Sequence, residues 1–410
     1  MIHVCFGLYD KTGRYSKFTG TTICSIFENT TSDVTVHILH DNTLTDDNRD
    51  KFIYLASRYG QAVNFYNVDE LCAEKLDEFI EYFPTVKGSH VSVGTMYRFL
   101  LPEIIAPEIE KLIYLDSDII VNLDIKELWQ IEIDDKILAA VPEILSYETI
   151  EKMEYFFPLC KQGLIRCEDY FNSGVILMNL DLLRKAKETI IDGLKFFEEN
   201  PQPVGYPGQD IWNYCFSARA LKLPIKFNQF TLFARYDEES LAEKIYHYAG
   251  GNLGHGLGLD LNDSFNWLWT NYFIKTPWFD GDSIGRLYEG FLKVSGELKR
   301  AALKLSSIMS GKTRSFVILE KDIDMLVGNF SVRDDEEVFA IKSTLPLQKL
   351  INVMNVSRGK KIFFILLPGF EFDRLEEAGF IRGEDFLDGY DFLTKDYKLN
   401  KIAYSLVSKM

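Results

Sequence analysis

The sequence predicts an α/β protein: a mostly parallel sheet with helices on both faces over residues 1–280, and a smaller α/β unit over 312–410. Three observations carry this expectation. Strand and helix patterns alternate through the first 66 residues, an order that gives parallel pairing with crossover helices. The segment Lys111-Leu-Ile-Tyr-Leu-Asp-Ser-Asp-Ile-Ile-Val is nearly continuous in apolar residues, as a buried strand is. A second β/α pattern starts past Gly311, after a helical stretch at 281–311 that reads as a linker.

Taken in order, residues 2–8 read as a buried strand and 18–27 as an amphipathic helix. Residues 34–39 form a strand, 46–59 a helix opening on a threonine–aspartate start, and 62–66 a short strand. Right-handed crossovers align the carboxyl ends of such strands along one edge, where open α/β sheets bind ligands. Residues 112–115 and 119–121 are strand on either side of Asp116-Ser117-Asp118. Another apolar strand, 171–180, opens beside Asn172, and 181–199 reads as a helix. A Pro/Gly loop at 205–209 feeds a helix that starts at Asp210 and runs to 220. A short strand at 244–246 precedes His247 and a glycine-rich run that includes Gly250 and Gly251. The helix expected at 283–309 carries Lys293, Lys299, Arg300 and Lys304 and reads as a solvated linker face, with contact to acidic lipid as the other use. Strands follow at 316–319, 338–341 and 362–367, with a helix at 347–354.

With 410 residues, 47% of them hydrophobic and 26% charged, the chain can bury a large core. Its net charge of −16 argues against nucleic acid as a partner, because phosphate recognition needs a basic face. The six cysteines show no C-x-x-C spacing, so neither a zinc site nor a disulfide framework is expected. No apolar run reaches the roughly 18 residues of a spanning helix, and no leader-like segment opens the chain. The expected location is the cytoplasm, in a reducing environment.

Two carboxylates in D-x-D at the end of a buried strand can share one hard divalent cation such as Mn²⁺ or Mg²⁺, which keeps sites for substrate phosphates. Solvated strand-end aspartates are the plain alternative, but charges beside a buried run are costly unless paired or metal-bound. His247 offers a third ligand, and the glycines after it would let backbone approach a diphosphate. The loop Gly7-Leu8-Tyr9-Asp10 lies on the ligand edge and suits a nucleoside, with Tyr15 as a stacking face; both tyrosines could equally cap the core. It is not a G-x-G-x-x-G fingerprint. Arg98 either pairs with a D-x-D carboxylate or meets phosphate or ribose. Asn172, Gln209 and Asp210 are polar residues at strand or loop ends, suited to hydroxyl recognition.

Together these stretches resemble glycosyltransferase family 8, the group of glycogenin and the bacterial lipopolysaccharide galactosyl- and glucosyltransferases. The likeness is carried by Leu8-Tyr-Asp with Tyr15, His37-Ile-Leu-His-Asp, Tyr97-Arg-Phe-Leu, Tyr114-Leu-Asp-Ser-Asp and Tyr170-Phe-Asn-Ser-Gly. It continues through Gly208-Gln-Asp-Ile-Trp-Asn, Phe227-Asn and Ile245-Tyr-His-Tyr-Ala-Gly, covering about residues 1–280. The resemblance implies a GT-A (Rossmann-like) nucleotide-diphospho-sugar transferase domain, a UDP-glucose or UDP-galactose donor, and Mn²⁺-dependent transfer with retention. It implies Asp116, Asp118 and His247 as metal ligands. It places Leu8, Tyr9, Asp10, Tyr15, Arg98, Asp116 and Gly250 around the donor nucleotide, and Asn172, Gln209 and Asp210 at the donor sugar, with Gln209 nearest the anomeric carbon. An amide is a poor nucleophile, so front-face attack aided by the leaving phosphate is the easier retaining route.

Two departures stand out. Gly208 replaces a frequent acid, and the Lys-Pro-Trp that commonly follows the histidine is missing, leaving only His255 as a substitute cation. The C-terminal part more weakly resembles small Rossmann-like domains and is expected to serve docking or self-association. The expected function is transfer of a hexose from a UDP-sugar to a bacterial surface glycan or glycoprotein precursor. The competing expectation is a catalytically weakened GT-A scaffold that binds nucleotide or partner proteins. A nucleotidyltransferase ranks last, since residues 7–17 lack a lysine-bearing glycine loop.

Overall fold

The structure, a computed structural model, describes residues 1–82, 93–200, 205–232, 243–249, 264–308, 311–320, 332, 334–341, 347–367, 370–389 and 392. The chain divides into two compact units, Met1–Gly256 with Leu268–Asp280, and Leu257–Trp267 with Gly281–Met410.

The strands of the first unit are β1 (Ile2–Leu8), β2 (Val34–His40), β3 (Ala62–Asn67), β4 (Lys111–Leu115), β5 (Ile119–Asn122), β6 (Leu138–Pro142), β7 (Phe171–Asn179), β8 (Ala220–Lys222), β9 (Gln229–Phe230) and β10 (Lys244–His247). Seven of them form one sheet in the order β3-β2-β1-β4-β7-β6-β8. Strands β1 to β4 pair in parallel, as the alternation predicts. Strand β7 is antiparallel to both β4 and β6. Its reversal is what makes Asn172 useful: a residue that begins β7 lands on the edge where β1 and β4 end, with Leu115 opposite Val175. The sheet core is aliphatic and dry, with Val4, Val36, Ile113, Ile176 and Leu177 fully buried.

A second sheet, β5-β10-β9, carries β10 antiparallel to β5, so that His247 pairs with Ile119 just after Asp118. The helix Arg14–Asn29 extends the expected 18–27 at both ends and buries a polar face. Thr19 donates to Ser117 Oγ (2.8 Å), Thr22 to the Ile119 carbonyl (2.6 Å), and Asn29 to the Val121 carbonyl (2.9 Å), while Val121 N–H donates to Ser25 Oγ (2.9 Å). Thr22, Ser25 and Asn29, three or four residues apart, hydrogen-bond β5 much as a neighbouring strand would, and Thr19 holds the turn before it.

Two expected elements differ. The helix read at 181–199 is two helices, Leu180–Lys185 and Lys187–Glu199, meeting at Ala186. The loop read at 205–209 is already helix from Pro207, whose fixed φ and missing N–H suit a first turn. Gln209 therefore sits in the opening turn of a helix, which ends at Phe216 and not at 220, where β8 already begins.

The second unit contains the helix Gly281–Ile308 and β11 (Thr313–Leu319), β12 (Glu337–Ile341), β13 (Lys361–Leu366) and β14 (Phe386–Asp388). Its sheet is parallel throughout, in the order β12-β11-β13-β14. Val317, Phe363, Ile365, Leu375 and Phe386 form its core, and the buried Arg314 Nη2 donates to Glu336 Oε2 at 2.7 Å. No helix among the described residues is long and apolar enough to cross a membrane.

Candidate active site

A cavity of about 570 Å³ opens at the carboxyl edge of β1, β4 and β6. Gly7, Tyr9, Tyr15, Arg98, the Asp116–Asp118 turn, Glu143, Asn172, Gln209 and His247 all line it. The turn between β4 and β5 brings both aspartates to one side. One ligand atom each from Asp116, Asp118 and His247 lie within 4.8 Å of one another. Two carboxylate oxygens and an imidazole nitrogen form a donor set that suits Mn²⁺ or Mg²⁺, and so fit the cation the sequence implies.

The histidine arrives through β10: Tyr248 N–H donates to the Asp118 carbonyl at 2.9 Å, and His247 Nε2 lies 3.3 Å from Asp118 Oδ1. Burial lowers the imidazole pKa, but the Asp118 carboxylate more than offsets it and holds His247 above its ordinary value. Burial likewise raises Asp118, and His247 overrides it downward. Such reciprocal shifts are those of an ion pair, each charge holding the other.

Arg98 realises the first of its two expected uses. At 2% exposure its Nη2 donates to Asp116 Oδ1 (2.9 Å), and its Nη1 donates to the Ser173 carbonyl (2.7 Å) and hydroxyl (3.1 Å). Its guanidinium stacks 4.4 Å from the Tyr114 ring. Leu8 and Asp10 are buried and not among the lining residues. Asp10 accepts from the Tyr15 and Ser16 amides (2.9 and 3.0 Å), so it fixes the turn that presents Tyr15, which is 43% exposed. Gly250 and His255 lie outside the described residues.

On the opposite wall, Gln209 Oε1 accepts from Asn172 Nδ2 and Ser173 N–H, each at 3.0 Å. Its Nε2 donates to Glu143 Oε1 (3.1 Å) and Tyr170 OH (3.3 Å). Asp210 is buried behind it, accepting from Tyr170 OH (2.6 Å) and Tyr206 N–H (2.9 Å), and burial raises its carboxyl to about 6.

Glu143 escaped the sequence reading, and Asn228 entered it only within the Phe227-Asn stretch, with no role assigned. Glu143 follows β6, an apolar run ending on the ligand edge, and that run was the available signal. It is 3% exposed and accepts from Asn172 and Gln209 through Oε1, while its buried Oε2 has no hydrogen-bond partner among the described residues. Burial raises its carboxyl to about 7. Asn228, in the Phe227-Asn pair, holds His247 through its Nδ1.

Comparisons with known proteins identify the family. The sequence profile described as "Glycosyl transferase family 8" matches residues 8–252. A putative glycosyltransferase of Haemophilus influenzae is 28% identical over 250 residues, 58% of this chain and 69% of its own. A lipopolysaccharide 1,2-glucosyltransferase of Escherichia coli is 28% identical over 231 residues, 55% of this chain and 63% of its own. The crystal structure of the galactosyltransferase LgtC in complex with donor and acceptor sugar analogs superposes with a TM-score of 0.53 at 20% identity, covering 70% of this chain and 100% of LgtC. That likeness shows a shared GT-A fold. Because the family match runs from the end of the first strand past His247, the chain belongs to glycosyl transferase family 8 and is a glycosyltransferase.

Proposed function

We propose that this glycosyltransferase moves a hexose, with retention and with a divalent cation, from a UDP-sugar to a bacterial surface glycan or glycoprotein precursor. The observation that carries the reading is the convergence of Asp116, Asp118 and His247 on one point of the cavity wall. When bound there, Mn²⁺ or Mg²⁺ supplies positive charge to a diphosphate leaving group.

The chain's own groups do the rest. Tyr15, exposed at the cavity mouth, offers its ring to the uracil, and Gly7 and Tyr9 flank the nucleoside. Any side chain at Gly7 would strike the Gly94 carbonyl, 2.6 Å from an added Cβ. Arg98 holds the Asp116 carboxylate in place through a buried pair, so it acts as a positioning residue. Asn172 and Gln209 face the donor sugar from the opposite wall, with Asp210 bracing Gln209 through Tyr170. Both ends of the Gln209 amide are committed to hydrogen bonds, which suits orienting a sugar and not attacking one. Acceptor attack on the same face as the departing diphosphate follows. Glu143 lines the cavity beside Asn172 and Gln209 and braces both amides through its Oε1. Six free thiols support a reducing, cytoplasmic setting.

The test is release of UDP from a panel of UDP-sugars with and without Mn²⁺. Metal-dependent release from one sugar supports the reading and names the donor. No release from any sugar, with Mn²⁺ present and the protein folded, overturns it.

A further inference from the structure

The helix Gly281–Ile308 belongs to the second unit, is 28 residues long, and buries Ser283, Ala301 and Leu305 on one face. Ile284, Tyr288, Leu292 and Leu303 lie on another face and are 56%, 56%, 55% and 73% exposed. At 3.6 residues per turn these four fall within about 100° of one another, so they form one apolar stripe along most of the helix. Single exposed apolar residues need no explanation, but a stripe of this length is what a helix presents to a partner.

Charge along the stripe narrows the partner. The first half of the helix carries Asp282 and Glu289 with one cation, Arg286. The second half carries Lys293, Lys299, Arg300 and Lys304 with one acid, Glu297, which already pairs with Arg300. All of these except Glu297 are exposed. An antiparallel copy of the same helix sets each acidic half against a basic half and opposes the two helix dipoles; a parallel copy would set like against like. An anionic bilayer is the poorer match, because Asp282 and Glu289 would lie against its negative surface.

The side-chain spacing is self-complementary in the same sense. A two-fold axis crossing the helix between residues 293 and 294 sets Ile284 against Leu303 of the second copy, Tyr288 against Lys299, and Leu292 against Ser295, each contact occurring twice. The Lys299 stem and ammonium suit the Tyr288 ring, and the small Ser295 leaves room for the Leu292 branch. Asp282 then falls beside Lys304, and Glu289 beside Lys299 and Arg300.

We propose that this helix is a homodimer seam, pairing antiparallel with the same helix of a second copy. The working enzyme then carries two catalytic cavities.

Sedimentation velocity of the full chain, from about 1 to 100 µM, tests the seam. The expected species has twice the 47.3 kDa chain mass. Leu292→Asp should raise the dimer dissociation constant at least about tenfold. Asp282→Lys with Glu289→Lys should weaken the dimer as well, and adding Lys299→Glu with Lys304→Glu should restore it, because antiparallel pairing alone sets these positions against each other. Circular dichroism of each variant checks that it is folded. A natural protein that stays monomeric at about 100 µM overturns the seam. So does a dimer untouched by Leu292→Asp, which would use another face, and so does a charge swap without rescue. Flotation with vesicles of phosphatidylcholine and phosphatidylglycerol supplies the remaining arm: a monomer that floats with them, and loses this in Leu292→Asp, assigns the stripe to a membrane and overturns the dimer.

Discussion

His247 Nδ1 lies 3.0 Å from Asn228 Oδ1, and this contact decides which ring nitrogen faces the aspartates. The assignment follows from a backbone amide three groups away. Gly174 N–H can only donate, so the Asn172 atom 2.9 Å from it is Oδ1. Asn228 Nδ2 donates to that same oxygen at 2.7 Å, which turns Asn228 Oδ1 toward the histidine. Nδ1 therefore carries the proton, and the Nε2 lone pair is left for a cation beside Asp118. The orienting partner of a ligating histidine governs affinity nearly as much as the ligand does.

Replacing Asn228 with alanine should therefore weaken Mn²⁺ binding by about 10- to 100-fold while the protein stays folded. Titration of Mn²⁺ by electron paramagnetic resonance, with UDP present, reads the effect directly. Unchanged affinity would mean that the tautomer is held by the aspartates alone.

Gly174 presses the same histidine from the other side. A Cβ there would fall 2.3 Å from His247 Cε1, and the ring cannot retreat because Phe230 packs edge-on at 5.3 Å. Gly174→Ala should cost about 1–3 kcal/mol in urea unfolding and depress metal-dependent UDP release. Gly296→Ala is the contrasting case: nothing lies within 4 Å of its added Cβ in the long helix, so it should stabilise by about 0.5–1 kcal/mol.

Much of this was legible in the sequence because it is local. The aspartate pair announces itself as charge inside an apolar run, and the β/α alternation fixes which edge of the sheet it faces. The reversal of β7 was not legible, since an apolar strand reads the same in either direction; it decides that Asn172 and Ser173 join the site. Arg98 read as a cation with two uses, a D-x-D carboxylate or a ligand phosphate or ribose, and the choice of Asp116 depends on two segments meeting. Glu143 and Asn228 are single polar residues whose meaning comes wholly from what the fold places beside them. The polar face of the first helix, Thr19, Thr22, Ser25 and Asn29, reads as solvent-facing until β5 is laid against it.

Asp118 and Arg98 should separate chemistry from support. Asp118→Ala removes a strand-end carboxylate that faces the cavity, so UDP release should fall at least about a hundredfold with little change in Tm. Arg98→Met breaks a buried ion pair and strands the Ser173 carbonyl. Asp116 keeps partial exposure, so the loss should be about 2–3 kcal/mol, below that of a fully buried pair. Thermal unfolding beside UDP release measures both. An Asp118→Ala protein that unfolds, or one that retains metal-dependent release, would contradict the assignment.

Glu143 supplies a signature in pH. Burial lifts its carboxyl from 4.5 to about 7, so between those values the unfolded chain gives up a proton that the folded protein keeps. A raised carboxyl therefore stabilises fully below about pH 4.5, and that contribution is lost as pH rises through 7. Glu143→Gln cannot titrate. Its stability relative to the natural protein should climb across this window, by at most about 3 kcal/mol, in urea unfolding at pH 5 and pH 7.5. A difference that stays flat with pH would place the carboxyl in its ordinary range.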